Sequence, residues 1–383
     1  MPKNIPKKPD LLIVSDTPMW KTEQGNLALE PVVREIENFY PIFNRITWIG
    51  FRHSNADIQN GAVKIEKASV NFVFLPNIGG SGILEKIKIL FRVPGYFLVV
   101  LSQIKKHHVI HSRGPSIPAL FSLIISFFYK KPIFWYKYAG NWDHPKPPLS
   151  YRVQREILKK AKNTIGTING KWKNQAEHLL TFENPTFTEK ELSVAKNIAM
   201  QKSFEGKLTL VFVGRIEVLK GFDLLLQALS KFGPEDDLEH VYFVGGGARK
   251  AYFEEMAKDL LSISYEFTGA LKRDALNEIY AKAHIFCLPS LSEGFPKVLA
   301  ESAAFGCVPI VSDLSCIGQY IMHNKNGILL QNINAEEIEL SLSMLIKNKG
   351  KLKEMSDQVN KITEKFTYEY YNNRISKDLL KLT

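Results

Sequence analysis

Two glutamates eight positions apart, Glu293 and Glu301, flank a switch from loop to helix in the run Ser-Glu-Gly-Phe-Pro-Lys-Val-Leu-Ala-Glu. The segment 284–290 before it is short and apolar, which suits a buried strand, while Pro296 fits a first helical position and Gly306 a helix stop. Glu293 then falls in the loop and Glu301 inside the helix. Counted from Pro296, Glu301 lies roughly 7.5 Å along the axis at the standard rise. That is about the reach from a diphosphate to its ribose. The free N–H groups of the first turn, the positive end of the helix dipole and the Lys297 ammonium would together seat two phosphates. Glu301 would accept from ribose hydroxyls and Glu293 from a sugar on the other side. The plainer alternative is a solvated loop carboxylate and an ordinary helix-surface one.

A second set stands upstream. Val211 to Gly221, Val-Phe-Val-Gly-Arg-Ile-Glu-Val-Leu-Lys-Gly, is a strand running into a glycine turn, with Arg215 and Lys220 where the strand ends. Open α/β sheets collect ligands at the carboxyl ends of their strands, so two cations there suit an anionic ligand. A solvated basic loop would give the same pattern.

These residues, with Val244-Gly245-Gly246-Gly247, Phe267-Thr268-Gly269, Glu293-Gly294-Phe295 and Asn326-Gly327, resemble the retaining glycosyltransferases of family 4. The resemblance is strong from about residue 206 to 330 and weakens toward the N-terminus. It implies an α/β chain of GT-B fold, two Rossmann-like domains with parallel sheets facing across a cleft. It also implies a nucleoside diphosphate sugar as donor substrate, no other cofactor, and a carbohydrate or lipid-linked acceptor. Arg215 and Lys220, beside Gly214, would bind the donor diphosphate. Glu301 would bind the ribose, and Glu293 with the backbone of Gly294, Phe295, Pro296 and Lys297 would hold the transferred sugar. Thr268, Gly269, Ala270 and Leu271 would line the base pocket. The implied chemistry is front-side attack with retention, a donor phosphate oxygen taking the acceptor proton.

Two departures limit the carry-over. Gln319 falls where many members have a glutamate, and Pro296-Lys297 replaces a common Gly-Leu. In the N-terminal half many members place a histidine after the fourth or fifth strand. Here the strand 132–139 runs into Gly140-Asn141-Trp142-Asp143-His144, so Asn141 and His144 are both candidates, with His144 equally readable as a turn residue beside Pro145. Leu11 to Ser15 predicts a first strand, followed by a loop over 16–28 with Gly25 near the next helix, where the family has a glycine-containing loop facing donor and acceptor. Arg113, at the tip of a strand near 109–114, is a candidate phosphate or acceptor contact or a surface salt bridge.

The chain has 383 residues, beyond the size at which a single core stops growing. Residues 1–190 are read as an acceptor-binding domain and 206–365 as the nucleotide-sugar domain, with the helix 366–383 crossing back to the first. Cys287, Cys307 and Cys316 have neither metal-ligand spacing nor an even count, and read as buried thiols in a reducing compartment. The acidic Glu235-Asp236-Asp237 lacks an Asp-x-Asp form, so no metal is expected. No cleavable leader is evident, and a cytoplasmic location follows as an expectation.

The net charge of +11 is unevenly spread: residues 1–190 hold 27 Lys and Arg against 14 Asp and Glu, and the remainder holds 23 against 25. Such a basic half suits a phosphorylated substrate, an anionic lipid surface or nucleic acid. The resemblance favours peripheral contact with the inner face of a membrane and no nucleic acid. The stretch 82–110 mixes lysines with large apolar residues, which suits either a helix lying on a membrane or one covering the domain's own sheet. Ile117 to Tyr129 is the most apolar run but falls short of the ~20 residues a span requires, so it reads as a buried helix. Helix 151–162 carries Arg152, Arg155, Lys159 and Lys160, a charge run that reads as a solvated face. Two rival functions remain: an epimerase or hydrolase of nucleotide-sugars on the same fold, and a non-enzymatic basic protein binding polyanions. Paired carboxylates argue against the second.

Overall fold

The protein is described here by a computed structural model covering residues 6–58, 61–66, 70–77 and 83–382, with only the backbone described for 83–91. It divides into two units, one ending at Glu183 and regained at Tyr371, the other running from Asn184 to Tyr370. Each is built on its own sheet.

The first sheet contains β1 (Leu11–Thr22), β2 (Gly25–Leu29), β3 (Ile46–Arg52), β4 (Ala62–Lys64), β5 (Val70–Pro76), β6 (Val109–Gly114), β7 (Ile133–Tyr138), β8 (Thr164–Ile168) and β9 (Leu179–Thr181). Its parallel path runs β5-β3-β1-β6-β7-β8-β9. Successive side chains on a strand face opposite ways, so Leu11 and Ile13 enter one core with Trp48 and Trp135, while Leu12 and Val14 enter the other with Ile49 and Phe134. Both faces are therefore apolar, as a parallel sheet covered by helices requires.

The expected loop over 16–28 is instead strand. β1 continues past an irregularity between Val14 and Pro18, where proline offers no N–H to a ladder, and then pairs antiparallel with β2 from Met19↔Ala28 to Thr22↔Gly25. Met19 and Trp20 are fully buried, and that burial holds the segment in the sheet. Gly25 thus sits in a hairpin, not beside a helix, with the Thr22 hydroxyl donating to its carbonyl at 2.8 Å.

The apolar helix Ile117–Phe128 is capped by Ser116, whose hydroxyl accepts from the Ala119 N–H, and it buries Ala119, Phe121, Leu123 and Ile125. The expectation of a buried helix holds on that face and fails at the end, where Phe128 is 86% exposed. The helix Ile83–Ile104 places Tyr96, Val100 and Ile104 on the sheet, the four-residue spacing of a helix covering its own domain. The start of the stretch expected to meet a membrane, at 82, lies outside the described residues. Among the described residues no helix is long and apolar enough to cross a membrane. Beyond Tyr371, the chain returns Tyr371, Ile375, Leu379 and Leu380 to the core around Trp48 and Trp135.

The second sheet contains β10 (Leu208–Val213), β11 (Leu238–Val244), β12 (Ser264–Gly269), β13 (Ile285–Leu288), β14 (Val308–Ser312) and β15 (Ile328–Leu330). All pairs are parallel in the order β12-β11-β10-β13-β14-β15. The order reverses between β10 and β13. β10 is buried along its whole length, which explains why it reads as an unbroken apolar run rather than an alternating one.

His111 on β6 is fully buried and stacks on Trp135 with ring centroids 3.6 Å apart. Burial, reinforced by the Arg113 charge, holds its pKa well below the ordinary value, so the folded ring stays neutral. The unfolded chain takes up that proton once the pH falls below about 6.5, so this contribution to stability is present above that pH and lost toward acid. His111→Phe should therefore flatten the pH dependence of urea-unfolding free energy between about pH 6.5 and 5, by up to roughly 1.4 kcal/mol per pH unit. Parallel slopes for the two proteins would refute the assignment.

Candidate functional site

At the point where strand order reverses, no crossover covers the carboxyl ends of β10 and β13, and ligands of open α/β sheets gather there. Lys220, at the end of the short turn Val218–Lys220, forms an ion pair with Glu293 in the loop after β13. The Ser290 hydroxyl donates to the same Glu293 oxygen at 2.9 Å. The side chains of Lys220 and Glu293 are 19% and 11% exposed, so the pair is sheltered yet reachable. The two loops are also joined through the backbone, Leu291 N–H donating to the Leu219 carbonyl at 3.0 Å. Arg215 is more open, its side chain 69% exposed and 3.0 Å from Glu217.

Glycine makes this proximity possible. Gly221 has φ +67°, and a Cβ there would stand 2.0 Å from the Pro289 carbonyl oxygen. Gly245, at φ +141°, would put a Cβ 1.8 Å from the Gly214 carbonyl oxygen. Gly214 N–H donates to the Val244 carbonyl at 3.0 Å and Gly245 N–H to that of Gly269 at 2.8 Å. Gly214 and Gly269 thus belong to a stitched rim across β10, β11 and β12. Beyond it Ala270 is exposed and Leu271 half-buried.

The helix after β13 spans Lys297–Ala304 with Pro296 as its N-cap, so it starts one residue later than the sequence suggests. Pro296 offers no capping side chain. Phe295 is buried, stacked on Phe366 at 4.9 Å and 14° and packed edge-on against Tyr320, so its ring serves the core. Next to it, Cys316 Sγ lies 3.8 Å from the Gly294 carbonyl. All three cysteines are free and buried, and burial pushes the Cys287 thiol up.

Glu301 is no solvated surface carboxylate. Its side chain is 15% exposed, accepts from the Thr186 hydroxyl and lies 3.7 Å from the Arg273 guanidinium. Arg273 also donates to the Thr186 carbonyl at 2.7 Å and stands 3.4 Å from Glu191. Neither Arg273 nor Thr186 was singled out in the sequence. Arg273 had a usable signal: it is the first residue of the helix Arg273–Lys282, where the dipole disfavours a cation, so a partner was to be expected. Thr186, in an irregular stretch after Pro185, had none.

The N-terminal candidates are not gathered into one site. Arg113 is not an open anion contact: it lies 2.8 Å from Glu35, which Lys137 also approaches at 2.7 Å, and Glu35 is fully buried. Both cations are thereby committed to Glu35, since a buried carboxylate is tolerated only when paired. Asn141 accepts from the Asp143 N–H at 3.0 Å, and His144 Nδ1 from the Lys146 N–H at 3.1 Å, so both staple one turn. Among the described residues no three or more His, Cys, Asp or Glu side chains converge as a metal site would need.

Residues 193–363 match the family model described as glycosyl transferases group 1. That match covers 171 of the 383 residues, a little under half of the chain. The group 1 segment holds all six strands of the second sheet together with Arg215, Lys220, Arg273, Glu293 and Glu301, and begins after Thr186 and Glu191. Among curated relatives, an uncharacterized glycosyltransferase of Haemophilus influenzae is 33% identical over 188 residues, 46% of this chain and 52% of that protein. A D-inositol 3-phosphate glycosyltransferase of Rhodococcus erythropolis is 28% identical over 174 residues, 43% of this chain and 39% of that one. The matches thus span about half or less of those relatives' length. Among solved structures, the Anabaena HepE protein in complex with UDP superposes with a TM-score of 0.69 over 97% of this chain and all of its own, at 15% identity. The fold is accordingly GT-B.

The glycine rim supplies a direct test. Gly245→Ala forces a backbone carbonyl to move and should destabilise the protein by about 2 kcal/mol or more, whereas Gly246→Ala, whose Cβ would meet nothing within 4 Å, should stay within about 0.5 kcal/mol in thermal unfolding. Equal melting temperatures for the two variants would refute the close approach.

Proposed function

We propose that this chain transfers a glycosyl group from a nucleoside diphosphate sugar to an acceptor hydroxyl with retention at the anomeric carbon. The observation that carries the reading is the Lys220–Glu293 ion pair, contributed by the two loops at the point where strand order reverses. An arriving diphosphate would take over the Lys220 ammonium and release Glu293 to accept from sugar hydroxyls. Arg215 would hold the same phosphates from the solvent side. The first turn of the helix Lys297–Ala304 would add backbone N–H donors and its dipole, and Glu301 would take the ribose.

In the transfer step the bond from the anomeric carbon to the donor phosphate oxygen breaks, and a bond to the acceptor oxygen forms on the same face. The acceptor proton passes to a donor phosphate oxygen, so no carboxylate has to cycle its protonation. Lys220, Arg215 and the helix N-terminus stabilise the departing diphosphate, where negative charge develops. Loss of one such cation costs on the order of 3 kcal/mol in the barrier. The acceptor is a carbohydrate or a lipid-linked sugar of surface polysaccharide or glycolipid synthesis, and the basic excess of residues 1–190 suits an anionic acceptor or membrane face.

The first measurement is thermal stability with UDP, the ligand of the Anabaena protein, beside GDP, ADP and dTDP. One nucleotide at a hundred times its dissociation constant should add about 2.7 kcal/mol to the native state, and Glu301→Ala should lose that gain. No shift with any of the four would refute the donor site. Given a donor that supports turnover, Lys220→Met should lower kcat on the order of 100-fold. Donor consumption at the same rate with and without acceptor would replace transfer by hydrolysis or epimerisation.

A further inference from the structure

The loop after β7, the helix Leu149–Lys160 and the segment after β8 enclose a pocket of about 670 Å³ within the first unit. That volume suits one or two sugar rings. Two of the chain's five tryptophans line it, Trp142 and Trp172, together with His144, Arg155, Lys159 and Lys173. Three Lys and Arg side chains thus face a wall whose one carboxylate, among the described residues, is Asp143.

The wall is built rather than loose. Arg155 donates to the carbonyls of Trp142 at 2.6 Å and His144 at 3.1 Å, fixing the loop after β7 from beneath. Trp142 packs edge-on against Tyr138, ring centroids 5.2 Å apart, and the Lys159 ammonium lies 5.9 Å from its ring. Across the pocket the Trp172 indole N–H donates to the Asn169 carbonyl at 2.8 Å, and the Trp172 backbone N–H to Gln175 at 3.1 Å. Asn174, at φ +59°, completes the tight turn that carries Lys173. Lys159 is held only by Glu156 at 2.9 Å, an exposed pair that contributes little and can open.

Trp142 is buried in the core beneath, so it is the half-buried Trp172 indole that suits the C–H face of a pyranose ring, whose slightly positive hydrogens meet the electron-rich ring face. The flanking cations suit a negative substituent on that sugar. We propose that this pocket binds an anionic saccharide, a hexose bearing a phosphate or a carboxylate. Its role as the acceptor's seat rests on the transferase reading above; the binding itself does not.

The test is a titration of intrinsic tryptophan fluorescence with glucose 6-phosphate, glucuronic acid and glucose, each to tens of millimolar. A saturable change is expected with at least one of the two anions, the responding anion naming the substituent, and glucose should bind at least about tenfold more weakly. Trp172→Leu should abolish the change, and Lys159→Gln with Lys173→Gln should weaken it about tenfold. Glucose equal to both anions, no saturable change with either, or a lysine variant titrating like the parent would each overturn the proposal. Thermal stabilisation by UDP, run on the same variants, reports on the other unit, so failure of the transferase reading is told apart from failure of this one.

Discussion

A parallel sheet must cross over from strand to strand, and where its order reverses the crossovers diverge and leave two strand ends uncovered. In the second unit those ends belong to β10 and β13, and everything that could do chemistry there follows from their adjacency. The loop after β10 supplies cations and the loop after β13 supplies Glu293, and the loops can touch only because Gly221 has no side chain to strike Pro289. Lys220 and Glu293 then satisfy each other, which keeps a sheltered cation and a sheltered carboxylate tolerable. The pair is thus a structural compensation, and under the proposed reading it also supplies two ligand-binding groups.

The first unit handles charge differently. Glu35, Arg113 and Lys137 meet out of solvent beside the neutral His111, and burial governs all of them. Removing Glu35 would leave two cations uncompensated, so this carboxylate ties the ends of β6 and β7 together. Among the other cations of that unit, Arg155, Lys159 and Lys173 line the pocket beyond β7 and β8.

Much of this was legible in the sequence, for identifiable reasons. β10 and β13 are buried on both faces and so appear as almost unbroken apolar runs, and glycines mark the close approaches at 221 and 245. The run from Asp16 to Ala28 was not legible, because Pro18, Gly25 and scattered polar residues look like a loop until Met19 and Trp20 are seen in the core. Phe295 sits inside a motif associated with donor binding, yet its ring belongs to an aromatic cluster with Phe366, seventy-one residues away in the chain. Partners at such separations leave no local pattern, which is also why Thr186 escaped notice. Arg113 at a strand tip looked available because the buried carboxylate that claims it, Glu35, comes from a distant helix.

The grip of Thr186 and Arg273 on Glu301 has a thermodynamic corollary. Thr186 lies just inside one of the two places where the chain passes between units, and its backbone N–H donates to Phe366, close to the other. Under the proposed reading, a ribose that took the Glu301 oxygen already accepting from Thr186 would displace that hydroxyl, so ligand binding and the Thr186 contact would be linked equilibria. Whatever such a ligand gained at Glu301 would be reduced by the loss of that contact, and the measured affinity would report the difference.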